Sequence, residues 1–157
     1  MSEYYVRAGS SAPSYVLHRK VAIIGERGVG KSSLAERFVT NRFIDNYDPT
    51  IENTLRKHIG FRSIPFSVEI VDTAGIDEYS KLSRNATVGV HGYILVYSVA
   101  SRSSLEKVRN INKLLFNMIG NPPAIPRVLV GTMLDAAPDQ RVVIKKNTTA
   151  LYMIHVN

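Results

Sequence analysis

The sequence predicts an α/β domain of three layers, with a mostly parallel central sheet between helices. Three observations carry that expectation: short apolar runs rich in β-branched residues, amphipathic stretches at helical spacing between them, and a glycine-rich turn joining the first run to the first such stretch. Runs that are apolar throughout suit strands buried on both faces, the condition of a parallel sheet covered by helices. Ligands in that architecture sit beyond the carboxyl ends of the strands.

Taken in order, residues 1 to about 18, with Gly9-Ser10-Ser11-Ala12-Pro13-Ser14, read as a flexible leader. Structure is expected from Lys20, with Val21-Ala22-Ile23-Ile24 as a buried strand bounded by Gly25. From Ser32 to about Asn41, Leu34, Phe38 and Val39 recur at helical spacing. Asn41 to Asn53 holds Asp48-Pro49 and no sustained period, so it reads as a loop. Thr54 to Gly60 and Phe66 to Val71 read as strands joined through an irregular stretch, with Pro65 suited to a strand start. Tyr93 to Tyr97 is a further buried strand. Ser103 or Ser104 then caps a helix carrying Leu105, Val108, Ile111 and Leu115, and Arg127 to Val130 is a strand after Asn121-Pro122-Pro123.

The 157 residues and 17.5 kDa amount to one domain, and 45% apolar with 21% charged residues excludes wholesale disorder and fibrous repeats. The chain has no cysteine, which excludes disulfides, cysteine-held metals, thiol catalysis and a prenyl or palmitoyl anchor. Ser2 excludes N-myristoylation, and neither a signal peptide nor an apolar run long enough to span a membrane is present. A cytoplasmic protein without a lipid anchor is expected. The net charge of +7 is scattered, with small groupings at Arg19-Lys20 and at Arg141 with Lys145-Lys146, and reads as solvated surface. No nucleic-acid partner is expected, and at most weak peripheral contact with an anionic membrane. The four histidines lack metal-ligand spacing.

The strongest chemical signal is Gly25-Glu26-Arg27-Gly28-Val29-Gly30-Lys31-Ser32, a full G-x-x-x-x-G-K-S match after a predicted strand and before a predicted helix. Such a match arises by chance in on the order of one chain in a hundred, and the correct context lowers that further. Backbone amides converge on phosphate oxygens there, Lys31 supplies a point charge to the β and γ phosphates, and the Ser32 hydroxyl is placed to ligate Mg²⁺. Asp72, at the end of a strand in Asp72-Thr73-Ala74-Gly75, suits a Mg²⁺-linked carboxylate, although by itself an acid after a strand is usually a turn residue. The Gly75 N–H is free to meet a terminal phosphate. Thr50, in Tyr47-Asp48-Pro49-Thr50-Ile51-Glu52, offers a hydroxyl to complete the metal shell, where Asp-Pro-Thr alone is a turn.

With these motifs in this order and separation, the chain resembles a Ras-type small GTPase. Tyr47 to Thr54, Val71 to Gly75, Asp77-Glu78-Tyr79-Ser80, Gly92 to Ser98 and an arginine, Arg27, inside the phosphate loop resemble the Rheb subgroup. The similarity covers about Lys20 to Asp135, which places a GTP-binding domain at 19–135 and a divergent tail at 136–157. The resemblance implies a P-loop domain that binds GDP or GTP with Mg²⁺, with Gly28, Val29, Gly30, Lys31, Ser32 and Ser33 around the phosphates. It implies Ser32 and Thr50 on the metal, Phe43 against the guanine, and Ile44, Tyr47 and Asp48 near the ribose and phosphates. Lys31 and Thr50 carry catalysis in this reading. The implied switch binds effector and regulator proteins through residues about 45 to 54 and 75 to 82, as a monomer signalling to the target-of-rapamycin kinase complex. Family resemblance also implies a place peripheral to endomembranes.

The pattern is not followed everywhere. Ile76 occupies the position of the glutamine that orients the attacking water, so slow hydrolysis is expected. Arg27 replaces the small residue common in Ras, where bulk can crowd the γ phosphate or an incoming arginine finger. The base-recognition motif reads Thr132-Met133-Leu134-Asp135; Asp135 can accept from the two guanine N–H donors that adenine lacks, Thr132 is a shorter substitute for asparagine, and Met133 covers the base face. The last strand and last helix of the family fold are expected to be missing: Arg141 to Ile144 and Ala150 to Ile154 have the composition of strands but look unrelated to the family, as in a truncated product. A nucleotide-binding pseudo-GTPase or a non-catalytic interaction module is the alternative. An ATPase or kinase is disfavoured by Asp135, and RNA binding rests on charge alone.

Overall fold

The computed structural model describes residues 15–43, 50–76, 82–119, 125–136, 139 and 152–155. In chain order they form β1 (Leu17–Gly25), α1 (Lys31–Thr40), β2 (Glu52–Phe61), β3 (Ile64–Thr73), β4 (Gly92–Ser98), α2 (Arg102–Ile119), β5 (Arg127–Thr132) and β6 (Tyr152–His155). The strands make one sheet in the order β2-β3-β1-β4-β5-β6. Only the β2–β3 pair is antiparallel. Because β1 lies between β3 and β4, the connections diverge on either side of it, which opens a crevice at its carboxyl end. Register brings the site to that edge: Ile23 pairs with Asp72, Gly25 with Val96, and Ser98 with Thr132.

Successive strand residues point to opposite faces, so each apolar run supplies two cores. On one face Ala22, Ile24, Val71, Tyr93, Leu95, Tyr97 and Leu129 pack with Leu105, Val108, Ile111 and Leu115 of α2. On the other, Ile23, Val68, Ile70, Val96 and Val130 pack with Val29 and with Ala35 of α1. Neither helix among the described residues is long and apolar enough to cross a membrane.

Four details differ from the sequence expectation. First, β1 starts at Leu17 rather than Lys20, because Leu17, His18 and Arg19 find partners in Phe66, Ser67 and Val68 of β3. Second, α2 is capped by Ser101, whose Oγ accepts from the Ser104 N–H at 3.2 Å. Ser104 is fully buried instead, donating to Ser101 O at 2.7 Å and accepting from the Ser98 N–H at 3.0 Å, so it ties the helix start to the end of β4. The polar first turn hid the true start from a reading of apolar spacing.

Third, the irregular stretch before Pro65 is a tight hairpin, with Arg62 and Ser63 at φ 49° and 63° between the paired Phe61 and Ile64. Arginine and serine give no sign of such a turn, which usually takes Asn or Gly. Fourth, the last strand, expected to be missing, is present: Tyr152–His155 runs parallel to β5, from Val128↔Tyr152 to Gly131↔His155. It occupies the edge of β5, where backbone groups would otherwise lie unpaired. Pairing of this kind needs only an extended apolar segment, so it escapes a comparison of motifs. Among the described residues no α-helix follows α2.

Candidate functional site

At the end of β1 the chain turns through Glu26 to Gly30 and enters α1. Gly28 and Gly30 hold φ at 76° and 85°, the left-handed region in which other residues are strained. Gly30 precedes α1 directly and no side chain caps the helix, so its first amides are left for an anionic ligand. The loop is fixed from below. Val29 is buried in the core, and the Thr132 hydroxyl lies 2.6 Å from Val29 O and 3.0 Å from Tyr97 O. Thr132, a base-contact candidate in the sequence reading, thus bridges β5 to the phosphate loop with its hydroxyl on carbonyl groups.

Above the loop four polar side chains converge. Lys31 is only 6% exposed and its Nζ donates to Glu26 O at 2.9 Å. Burial pushes its pKa down, and the negative charges of Asp72 and Glu26 oppose that shift. Asp72 is 3% exposed, and its Oδ1 has no hydrogen-bond partner among the described residues. Burial raises its pKa; a hydrogen bond from Ser32 and the Lys31 charge pull the other way, and Glu36 adds to the rise. Ser32 Oγ and Thr50 Oγ1 are 2.8 Å apart. Ser33 is half-buried on the next position of α1.

Two hydroxyls and a carboxylate with a buried, unpartnered oxygen are hard donors of the kind Mg²⁺ takes, so the residues fit that ion. Ser32, Thr50 and Asp72 are the ones that would hold it. When bound, such an ion would supply a Lewis acid for phosphate oxygens.

Gly75 lies against the backbone of Arg27, where any Cβ would overlap the Arg27 N and Cα atoms. The next residue turns inward. The Ile76 N–H donates to Gly25 O at 3.1 Å, and its side chain, 8% exposed, joins the core of Ala22, Ile24 and Tyr93. The position expected to face attacking water therefore carries a packing residue.

On the base side, Met133 adopts φ 61°, with its sulfur 3.1 Å from the Ser98 hydroxyl. The turn that follows is closed by the Ala136 N–H on Met133 O at 3.1 Å. Asp135 is exposed, and its carboxylate makes no hydrogen bond or ion pair among the described residues. Phe43, just past α1, is 63% exposed. Ile44, Tyr47 and Asp48 lie outside the described residues.

Sequence reasoning missed two contacts near the loop. The Thr73 hydroxyl donates to Ile23 O at 2.8 Å, fastening the end of β3 to β1. Lys107 of α2 forms an ion pair with Glu26 at 2.5 Å. Neither has a local signal, because each joins residues far apart in the chain.

A strand, glycine-rich loop and helix at the divergence point of a parallel sheet, with a strand-end aspartate beside the loop lysine and serine, define a P-loop nucleotide-binding domain. The chain belongs to the Ras family, whose family model matches residues 20–155. It is 49% identical over 129 residues to the small monomeric GTPase RhbA of Aspergillus fumigatus, covering 82% of this chain and 68% of the relative. It is 50% identical over 118 residues to the GTP-binding protein Rheb homolog of Dictyostelium discoideum, covering 75% and 63%. Against the human GTP-binding protein Rheb the identity is 48% over 117 residues, covering 74% and 63%. The chain thus spans between 63% and 68% of the length of these relatives.

Proposed function

We propose that this chain is a Rheb-like molecular switch that binds GDP and GTP with Mg²⁺ and hydrolyses GTP slowly. The single observation behind this reading is the convergence at the start of α1 of Lys31, Ser32, Thr50 and Asp72, whose Oδ1 has no hydrogen-bond partner among the described residues. Lys31 and the loop amides from Gly28 to Ser33 hold the phosphates, and the Gly75 N–H meets the terminal one. Lys31 and Thr50 stabilise and position the reacting phosphoryl group. This reading assigns Phe43 to the guanine, Ile44, Tyr47 and Asp48 to the ribose and phosphates, and Asp135 to the base edge, while Thr132 holds the loop from beneath. Residue 76 packs into the core and so offers the attacking water no hydrogen bond, which is the reason turnover is slow.

The same reading assigns residues about 45 to 54 and 75 to 82 to effector and regulator proteins, in signalling to the target-of-rapamycin pathway. It takes the protein as a cytoplasmic monomer, with contact to endomembranes at most peripheral. It runs the nucleotide-binding unit from the start of β1 at Leu17 through Asp135, with the tail 136–157 adding β6 to the sheet. The test is titration of the full chain with fluorescent GDP and GTP analogues, with and without Mg²⁺ and with ATP as competitor. Tight, Mg²⁺-dependent binding that ATP does not displace is expected, followed by slow single-turnover hydrolysis. A folded chain that binds neither nucleotide would end the proposal.

A further inference from the structure

Glu26 places an acid at the first variable position of a loop built to receive a polyanion. Its carboxylate is not left to act on the ligand. Lys107 Nζ lies 2.5 Å from Glu26 Oε1, and the two side chains are 34% and 23% exposed, so solvent screens the pair only in part. Lys107 comes from α2, whose start is locked to β4 through Ser104 and whose Leu105 and Val108 are buried beside it. Its ammonium is therefore held by a rigid element. The main chain of the same glutamate has a second task, since Glu26 O accepts from Lys31 Nζ at 2.9 Å. Through one residue, α2 is joined to the phosphate-binding lysine.

We propose that Lys107 is a positioning residue for the nucleotide: it neutralises the Glu26 carboxylate and holds Glu26 so that its carbonyl keeps Lys31 aimed at the phosphates. This rests on the nucleotide-binding reading above. Without Lys107, the Glu26 carboxylate loses its ion-pair partner beside the loop, and a triphosphate, with its extra negative charge, suffers more than a diphosphate. The pair also explains how an acid is tolerated in this loop.

The experiment titrates the full chain and its Lys107→Met, Lys107→Arg, Glu26→Gln and Glu26→Gln/Lys107→Met variants with fluorescent GDP and a non-hydrolysable GTP analogue, at low and high salt. Lys107→Met is expected to weaken triphosphate binding about tenfold and diphosphate binding about threefold, with the gap closing at high salt. Lys107→Arg and the double variant should restore the wild-type ratio. An unchanged ratio in Lys107→Met, or a double variant no better than Lys107→Met, overturns the proposal, because a merely structural role would lower both affinities alike. Should Lys107→Met fail to fold, Glu26→Gln alone decides: its triphosphate-to-diphosphate ratio should equal or exceed that of the wild type, and a lower ratio overturns the proposal. Wild-type chain that binds neither nucleotide defeats the nucleotide reading itself, and does so before any variant is measured.

Discussion

The phosphate end and the base end of this site lie on the same sheet edge, yet they are built differently. At the phosphate end Lys31 is held by Glu26 O, Ser32 by Thr50, and the loop itself by Thr132, all in or next to a packed core. At the base end Asp135 stands exposed on a short turn, and Met133 holds a left-handed backbone without being glycine. A polyphosphate can be met by a cradle that exists before the ligand, because strand ends and a helix start assemble it. In the proposed reading, recognition of the base falls to the exposed Asp135, on a turn closed by the Ala136 N–H and Met133 O. Preorganised groups lose less on binding, so affinity should reside in the first region and selectivity, weakly, in the second.

Lys31→Ala should have the largest effect, lowering affinity for GDP and GTP at least about a hundredfold by removing a buried charge-assisted contact. Equilibrium titration measures it, and a loss near that of a base-side variant would erase the contrast. Ile76→Gln comes next. Burying an amide with no partner in the core should destabilise the fold by about 2–3 kcal/mol in denaturant unfolding, with no faster single-turnover hydrolysis. Faster hydrolysis with undiminished stability would show that residue 76 turns outward to the phosphates.

Asp135→Ala should leave the unfolding midpoint within about 0.5 kcal/mol of the wild type, as expected for an exposed side chain with no partner among the described residues. Its cost should appear as a loss of about tenfold in guanine-over-adenine preference in competition with ATP, the worth of a hydrogen-bonded contact or two. The smallest expected effect is a pH dependence at Asp72. Its folded pKa is raised by burial, so its contribution to stability is fully present below the ordinary aspartate pKa of about 3.9 and is lost as pH rises through the folded value. In nucleotide-free, Mg²⁺-free protein, Asp72→Asn should therefore match the wild type at low pH and be modestly more stable near neutrality. A wild type that gains on Asp72→Asn as pH rises would mean that Lys31 outweighs burial.

The phosphate end was legible because its chemistry is written in neighbouring residues: glycines that permit the turn, then Lys31 and Ser32, each in fixed sequence order. The apolar runs of β1, β4 and β5 and the Leu105, Val108, Ile111, Leu115 spacing of α2 were legible for the same reason, since local periodicity sets which face is buried. The Arg62–Ser63 turn was not, because its residues do not favour the backbone they adopt. The strand character of Ala150 to Ile154 was legible, but its pairing with β5 was not, because β5 lies across a stretch of chain with no motif. Ile76 was read as unable to orient water, whereas its place in the core followed only from where β3 ends against β1.

From the residues alone came the layered α/β architecture, the phosphate loop with its lysine and serine, and the strand-end aspartate as a metal-ligand candidate. These rest on short-range rules of spacing and backbone freedom. Only the folded chain decided that Asp72 is buried with one oxygen unpartnered among the described residues, that Thr132 secures the loop, that Ile76 packs inward, and that Lys107 meets Glu26. Each of those depends on strand register or helix docking between segments distant in sequence, and no local pattern encodes which side chains such docking will bring into contact.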